Sequence, residues 1–485
     1  MIQYLQEFWQ SITGGIVAIG QAQGFTEIVT AVNNVLNNLL WGVPMLLLIL
    51  IVGIWMTYSS GAVQIRKFGY AMKNTLGKMF KHKKAEEGAI TPFEAVSTAL
   101  AATVGTGNIA GVAGAITIGG PGAVFWMWVS ALVGMATKYA EIVLAVNFRE
   151  RDAKGEWVGG PMYYIKKGLG KGWSWLASLF CVLGALAAFG IGNMTQINSI
   201  VGSVDDLIVA FGGYADRWVV HLIVGVALAI IVAIVLFGGT QRIAKATSML
   251  VPIMAVLYFI GGIVFIIFHA KNVGPAFADI FAGAFGMRAF VGGSAGYLIA
   301  NAMKQGFSRG IFSNETGLGS APIAHASADV KHPVEQGIYG ILEVFLDTFV
   351  VCTISALIIL CSGMELEYGV KAGASLTTAA LGSFYGQKVA SVFMFVALGC
   401  FAFSTVLGWS LYGSRCVGYL FGNTAVIIYQ IIFVGCVVVA AMMELSLAWA
   451  IADTLNAAMA IPNMIALIAL GGTVGKLTKE YFAKA

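Results

Sequence analysis

Long apolar stretches, separated by short polar ones, run through most of the chain. About 20 consecutive apolar residues are enough for an α-helix to cross a bilayer. Apart from closed barrels, only helices satisfy their own backbone hydrogen bonds in lipid. The pattern therefore predicts an all-α polytopic membrane protein with eleven spans, at about residues 39–58, 92–118, 122–146, 174–199, 218–238, 248–268, 288–309, 338–361, 388–411, 422–441 and 446–471.

The densest group of basic residues, RKFGYAMKNTLGKMFKHKK at 66–84, follows the first predicted span. Loops rich in Lys and Arg stay in the cytoplasm. This rule places the N-terminus outside and, after eleven spans, the C-terminal KLTKEYFAKA inside. The same orientation puts the acidic loop 201–216 outside. We expect a multi-pass protein of the cell (inner) membrane.

The second apolar stretch carries glycine and polar residues at its centre, in AATVGTGNIAG at 101–111. An interior glycine weakens a helix by about 0.5–1 kcal/mol relative to alanine, and freed N–H and C=O groups in hydrocarbon need new partners. We expect the helix to break at Val104–Asn108, in a protein-lined cavity where these groups hold a small polar solute and an ion. Broken helices of this kind are typical of secondary transporters.

Five spans later, the apolar stretch 288–309 is interrupted at Asn301, Lys304, Gln305 and Gly306. If the first span is accessory, ten core spans divide into five plus five, each group opening with an interrupted helix. This is a LeuT-type 5+5 inverted repeat with one extra N-terminal transmembrane helix. The resulting divisions are an N-terminal segment 1–91, a first repeat 92–269, a second repeat 270–472 and a cytoplasmic tail 473–485.

Composition excludes several classes of protein. The 485 residues are 59% hydrophobic and 11% charged, whereas soluble domains are near 25% charged. The net charge of +5 comes from short loops and reflects topology, so a nucleic-acid partner is not expected. Six cysteines without CxxC spacing do not suggest a metal or disulfide site. The sequence contains no HExxH motif that would suggest an enzyme. An ion channel remains an alternative function, because glycine-rich helix breaks also occur in channels.

Several longer strings point to a known family. TALAATVGTGNIAGVAGA, GGPGAVFWMWVSALVGMATKYAE, GGPMYY, AAFGIGNMTQ and FSNETGLGSAPIA resemble the sodium:alanine symporter family, also described as alanine or glycine:cation symporters. The resemblance extends from about residue 40 to 460. It implies a LeuT-type fold with eleven spans, sodium-coupled uptake of alanine or glycine, and a substrate pocket lined by GTGN at 105–108.

A zwitterionic amino acid in the membrane needs partners for its carboxylate and its ammonium group. The carboxylate suits the N–H groups at the start of a half-helix, where the helix dipole is positive, so we assign it to Thr106, Gly107 and Asn108. The alternative is that the glycines are a close-packing face between helices. Packing does not require an asparagine in the same turn, and this favours the binding site.

The ammonium group suits neutral amide oxygens. Asn193 and Gln196 in GNMTQ lie on the third core helix, although an interhelical hydrogen bond is nearly as good an explanation for each. Lys304, Gln305 and Gly306 of the second interrupted helix are further candidates. The Lys304 side chain could instead extend toward the cytoplasmic edge of the membrane.

Sodium is a hard cation that prefers several oxygen ligands. In the LeuT-type arrangement one sodium ion lies between the first break and hydroxyl groups of the eighth core helix. We therefore assign it to the carbonyls of Ala101 and Val104 and the hydroxyls of Ser404 and Thr405. The alternative is that both hydroxyls bond to carbonyls of their own helix.

Trp409 follows Thr405 by one turn and shares its helix face. Its ring, with Thr405, could limit the pocket to alanine or glycine by volume, or it could be an interfacial tryptophan. Asp347, inside the 338–361 span, should be paired or protonated. It could be a proton or sodium site, or a structural partner of Lys138 or Arg309, and we favour the structural role. Asp453 has the same two interpretations.

The leading hypothesis is a secondary active symporter that works by alternating access. Its partners would be sodium, a small neutral amino acid and the lipid bilayer, and we expect a monomer. Proton coupling through Asp347 or Lys304 is the alternative within the same class.

Overall fold

A computed structural model describes the chain except for residues 1, 23, 79–84, 214–215, 287–294, 371, 444–445 and 485. Part of the predicted basic loop and the start of the predicted span 288–309 lie outside the described residues. The first-half helices are α1 (Ile2–Gln21), α2 (Phe25–Leu40), α3 (Val43–Ser59), α4 (Val63–Arg66), α5 (Phe68–Thr75), α6 (Pro92–Thr103), α7 (Ala110–Gly119), α8 (Gly122–Asn147), α9 (Pro161–Tyr164), α10 (Ser174–Phe189), α11 (Thr195–Ala210), α12 (Arg217–Leu236) and α13 (Gly239–Phe268).

The second half continues with α14 (Ala270–Ala284), α15 (Ala295–Asn314), α16 (Ala321–His325), α17 (Pro333–Val344), α18 (Thr353–Cys361), α19 (Ala374–Tyr385), α20 (Gln387–Phe421), α21 (Asn423–Met442) and α22 (Ser446–Lys484). Single 3-10 turns lie at Leu76–Lys78, Thr106–Asn108 and Lys171–Trp173, and π-helical turns at Ile165–Leu169, Gly190–Met194 and Phe345–Cys352. Two short strands, β1 (Glu150–Arg151) and β2 (Trp157–Val158), pair antiparallel, with Glu150 opposite Val158.

The all-α membrane architecture is confirmed. Within the described residues, nine helical segments are long and apolar enough to cross a membrane, and the bent pair α6–α7 raises this number to ten. The ten match ten of the eleven predicted spans, and the remaining one is the stretch 288–309. The eleventh span and the inverted repeat stay predictions. Helix α22 continues through most of the predicted tail 473–485, to Lys484.

Burial follows the needs of a protein surrounded by lipid. Helix α8 is buried along most of its length between α15 and α17. Helices α12 and α13 instead expose apolar side chains on one side, including Ile223, Ile230 and Ile253. Such residues need no protein partner in a bilayer, because lipid covers them. The buried helix α8, together with α15 and the broken helix α6–α7, forms the centre of the molecule.

The first break lies where the sequence predicts it. A capping box begins α6, in which the Thr91 hydroxyl accepts from the Glu94 N–H and the Glu94 carboxylate accepts from the Thr91 N–H. The helix ends at Thr103, Gly105 is extended, and α7 leaves at an angle of 58° to α6.

The predicted interruption at Lys304–Gly306 is wrong, because α15 runs as one helix from Ala295 to Asn314. Lys and Gln are good helix formers, and one glycine does not end a helix held by its neighbours. The second break comes at residues 315–320, where Glu315, Gly317 and Gly319 have φ angles of 53°, 83° and 80°. Glycine adopts this left-handed conformation without strain, and two glycines within three residues stop the helix.

Candidate functional site

The side chain of Asn108 holds the first break together. Its Oδ1 accepts a hydrogen bond from the Gly105 N–H at 2.9 Å, which closes the turn. No side chain fits at Gly105, because a Cβ there would lie 2.6 Å from Thr405 Oγ1. The N–H groups of Thr106 and Gly107 open a helical turn and therefore have no carbonyl partner within it. The break thus presents backbone donors beside buried polar side chains.

Gln196 reaches this break from a neighbouring helix. The Thr106 hydroxyl donates to Gln196 Oε1 at 3.2 Å, and Gln196 Nε2 donates to the Ile191 carbonyl at 2.9 Å. The π-helical turn at Gly190–Met194 connects α10 and α11 just before this residue. Turns of this kind occur frequently at functional sites. The structure therefore brings Gln196 and Thr106 together.

The candidate sodium residues also come together. The Ser404 and Thr405 hydroxyls lie 3.2 and 3.0 Å from the Ala101 carbonyl oxygen, across the interface of α20 and α6. Both are also within hydrogen-bond distance of the Phe401 carbonyl of their own helix. Val104 is the C-cap of α6, so its carbonyl has left the regular helix. Three oxygens therefore converge at the end of α6, next to the break.

Asp347 links the two broken helices. Its Oδ1 accepts from Asn108 Nδ2 at 2.6 Å, and its Oδ2 accepts from the hydroxyls of Ser313 and Thr348 at 2.9 and 2.8 Å. Asp347 lies in the π-helical turn after α17 and is fully buried. The partners expected from the sequence are wrong: Lys138 pairs with Glu343, and Arg309 lies near Asp453.

Two further carboxylates flank the second break. Glu315 Oε1 accepts from Trp409 Nε1 at 2.8 Å, and its Oε2 accepts from the Ser320 hydroxyl at 2.5 Å. Glu141 of α8 accepts from the Gly319 N–H at 3.1 Å and from the amide of Asn463. These bonds tie the unwound segment 315–320 to α8, α20 and α22.

A buried ion pair lies behind this segment. Lys138 Nζ lies 3.2 Å from Glu343 Oε1, and His325 Nε2 lies 3.0 Å from Glu343 Oε2. The amide of Gln336 donates to His325 Nδ1, which leaves His325 Nε2 as the donor to Glu343. The sequence analysis does not identify Glu141, Glu315 or Glu343 as functional. Glu141 and Glu343 lie inside apolar stretches, where a charged residue is a recognisable signal of function, whereas Glu315 lies between two predicted spans.

Other predicted site residues lie elsewhere. Asn193 Nδ2 donates to the Phe433 carbonyl of α21 at 2.8 Å, as the interhelical interpretation expects. A Cβ on Gly306 would lie 2.4 Å from the Ala123 carbonyl, so this glycine packs against α8. Gln305 contacts Gly119 at the end of α7, and half-buried Lys304 precedes it on the same helix. The structure does not bring these residues of α15 to the first break.

A cavity of about 510 Å³ leads to the first break from one face of the protein. Thr106, Gly107 and Phe312 line it at the break, and a Cβ on Gly107 would touch the Phe312 ring at 3.2 Å. Asp206 and Arg309 also line the cavity. The first break and the last turn of α15 therefore meet at one end of a passage that is large enough for a small solute.

Comparison with known proteins agrees with this architecture. The model of the sodium:alanine symporter family matches residues 26–485. The sodium/alanine symporter AgcS of Methanococcus maripaludis is 46% identical over 460 residues, which cover 94% of this chain and 97% of AgcS. The probable sodium/glutamine symporter GlnT of Bacillus subtilis is 36% identical over 459 residues, which cover 94% and 91% of the two chains.

A solved structure has a similar fold. The crystal structure of MhsT in complex with L-phenylalanine matches with a TM-score of 0.57 over 81% of this chain and 95% of MhsT, at 14% identity. This likeness confirms the LeuT-type fold predicted from the sequence. The family match over nearly the whole chain and the high identity to AgcS show that this chain belongs to the sodium:alanine symporter family, which consists of transporters and not of enzymes.

Proposed function

We propose that this protein carries alanine or glycine across the cell membrane together with sodium, by alternating access. The observation that carries the proposal is the first break, which faces the cavity at Thr106 and Gly107 and the oxygens of Ala101, Ser404 and Thr405 behind it. Solute and ion would therefore share one short segment of unwound chain. Membership of the sodium:alanine symporter family supports the same substrate and ion.

The substrate carboxylate would bind the N–H groups of Thr106 and Gly107, at the positive end of the second half-helix. Asn108 would shape this turn, since its own amide is bonded to Gly105 and Asp347. The ammonium group would lie near Gln196 Oε1, an acceptor that the Thr106 hydroxyl already reaches. A small solute would then satisfy both charges without leaving the break.

One sodium ion would bind between the carbonyls of Ala101 and Val104 and the hydroxyls of Ser404 and Thr405. A hydroxyl that donates to a carbonyl can rotate its proton away and offer a lone pair to a cation. Sodium would then replace two weak hydrogen bonds with ion–oxygen contacts. It would also hold α6 against α20, so that ion binding and substrate binding favour the same arrangement of the break.

Charge balance supports cation coupling more generally. Among the described residues, the carboxylates of Glu141, Glu315, Glu343 and Asp347 are each at most 2% exposed, and Lys138 is the buried ammonium group. Uncompensated charge in a membrane interior is costly. The Asp347 carboxylate, with the hydroxyls of Ser313 and Thr348, would therefore hold a second cation. A proton at Asp347 would balance the charge equally well, so proton coupling is the second candidate.

Alternating access would move the opening from one face to the other. The cavity opens on the side of Asp206, which the predicted topology places outside together with the N-terminus. On the other side, which carries the C-terminus, Arg415 donates to Glu156 and Thr240 at 2.7 and 2.8 Å. Breaking these contacts would open the cytoplasmic side. We expect a monomer to suffice, because both breaks belong to one chain.

Uptake into proteoliposomes tests the proposal. Labelled alanine or glycine should accumulate with sodium outside at fixed pH, and should not accumulate when potassium replaces sodium. Counterflow of labelled alanine at zero net flux should occur, because a carrier exchanges solute and a channel does not. Accumulation driven by a proton gradient alone would favour proton coupling through Asp347 or Lys304 and would overturn the sodium assignment.

A further inference from the structure

Trp409 lies close to the first break on α20, between two fixed surfaces. It follows Thr405 by one turn of α20, and Thr405 Oγ1 is the atom that a Cβ on Gly105 would meet. On one side is the π-helical turn Gly190–Met194, where a Cβ on Gly192 would come within 2.1 Å of Trp409 Cβ. The indole is 1% exposed. The Trp409 side chain therefore packs directly against the backbone at Gly192.

On the other side the indole N–H is bound to the second break. Trp409 Nε1 donates to Glu315 Oε1 at 2.8 Å, and Glu315 Oε2 accepts from the Ser320 hydroxyl. Both carboxylate oxygens are thus engaged, and Glu315 sits in the left-handed turn that ends α15. The orientation of the indole is set by the segment 315–320 and not by α20 alone.

The position of the indole affects the part of the proposed site that would receive the side chain of a bound amino acid. Gly107 of the first break packs against Phe312, which lies on the last turn of α15 and three residues before Glu315. Gly105 of the same break packs against Thr405, one turn before Trp409 on α20. We therefore take the side chain of a solute bound at Thr106 and Gly107 to face the indole. A Trp409 ring that could turn would leave room for a longer side chain.

From these contacts we propose that Glu315 is a positioning residue that sets substrate size. Its carboxylate holds the Trp409 ring in the one orientation that closes the side-chain end of the site. Any other rotamer would leave a buried N–H and a buried carboxylate oxygen without their partners, which is costly in a dry interior. This inference rests on the proposed function, because it takes the solute to bind at the first break.

The test compares alanine with 2-aminobutyrate, which is longer by one methylene group. The ratio of their uptake rates is measured at fixed sodium in proteoliposomes. Glu315→Ala should lower the ratio of alanine to 2-aminobutyrate about tenfold, which is within the range for one methylene group. Glu315→Gln retains an acceptor oxygen and should keep the ratio within about twofold of the wild type. Glu315→Met, of similar volume but without the acceptor, serves if the alanine variant is not recovered folded.

A double-mutant comparison tests whether Glu315 changes the uptake ratio through the indole of Trp409. Trp409→Phe removes the N–H donor and should lower the ratio by itself. If Glu315 acts through the indole, Glu315→Ala in the Trp409→Phe background should lower it no further. An unchanged ratio in both Glu315→Ala and Glu315→Met, an equal loss in Glu315→Gln, or additive losses in the double variant would overturn the inference.

A spectroscopic readout separates this inference from the proposed function. In protein labelled with 5-fluorotryptophan, the ¹⁹F signal of Trp409 is identified by its loss in Trp409→Phe. Glu315→Ala should shift or broaden that signal, and Glu315→Gln should leave it in place. Absence of sodium-driven uptake in the wild type would count against the proposed function, whereas an unmoved Trp409 signal in Glu315→Ala would count against the positioning role.

Discussion

The side-chain amide of Asn108 lies 2.6 Å from Asp347 Oδ1, and its carbonyl oxygen accepts from the Gly105 N–H. One residue therefore closes the turn of the first broken helix and binds a buried carboxylate of the span that follows the second. Ser313, at the end of α15, binds the same carboxylate. Asp347 therefore connects the two breaks, and a change at either break should alter the hydrogen bonds of its carboxylate.

Asn108→Ala should abolish sodium-driven uptake and leave membrane insertion intact. The change frees the Gly105 N–H and removes a donor from a buried carboxylate, and each unmade bond costs about 1–3 kcal/mol. Asn272→Ala is the matched control, because the Asn272 amide also donates to a backbone carbonyl, at Cys361, but lies on α14 away from both breaks. Normal uptake by Asn108→Ala would remove this residue from the site.

Thr405→Val should raise the sodium concentration for half-maximal uptake by about tenfold, equivalent to about 1.4 kcal/mol. The change keeps the shape of the side chain and removes the hydroxyl that faces Ala101. The measurement is the sodium dependence of alanine uptake. Ser410→Ala is the control, because that hydroxyl lies on the same helix and bonds to the Leu407 carbonyl. Equal sodium dependence in the two variants would argue against a sodium ion beside Ala101.

The position of the first break could be predicted because its signal is local. Gly105, Gly107 and Asn108 are close together in the sequence, and no helix inside a membrane tolerates them without compensation. Ser404 and Thr405 could be placed opposite Ala101 only through the resemblance to a known fold. In the structure the hydroxyls of Ser404 and Thr405 lie within hydrogen-bond distance of the Ala101 carbonyl oxygen.

The sequence pattern misplaces the second break because polar character and helix breaking are different properties. Lys304 and Gln305 are polar but favour helices, whereas Gly317 and Gly319 adopt positive φ angles and end the helix. The partner of Asp347 could not be predicted either. Its hydrogen bonds join residues more than 30 positions apart, at Asn108 and Ser313, and nothing in the local pattern specifies such a contact.

Asp347→Asn should raise the sodium requirement of uptake more than it reduces protein stability. The amide has nearly the shape of the carboxylate, so the connection between the two breaks is largely kept, but the negative charge that would balance a cation is lost. Sodium dependence of uptake and thermal unfolding in detergent are measured on the same preparation. A variant that keeps wild-type sodium dependence but becomes sensitive to heat would assign Asp347 a purely structural role. Uptake that no longer responds to pH but still requires sodium would assign the group a proton.

Arg415→Ala should shift the protein toward a form that is open to the cytoplasm. Arg415 joins the segment after α8, through Asp152 and Glu156, to Thr240 at the start of α13, and its side chain is 17% exposed. Loss of such a partly buried network, worth about 1–2 kcal/mol, would change the ratio of the two forms by about 5–30-fold.

Ser414 lines the cavity of about 580 Å³ beside Arg415, so a cysteine introduced there reports access to this face. In inside-out vesicles a membrane-impermeant maleimide should label Ser414→Cys several-fold faster when Arg415→Ala is present, after subtraction of labelling in the parent chain with its six native cysteines. Arg242→Ala is the control, because Arg242 is exposed at the same face and donates to the Ile234 carbonyl. An equal labelling rate in the Arg415 and Arg242 variants would mean that this network does not hold the cytoplasmic side closed.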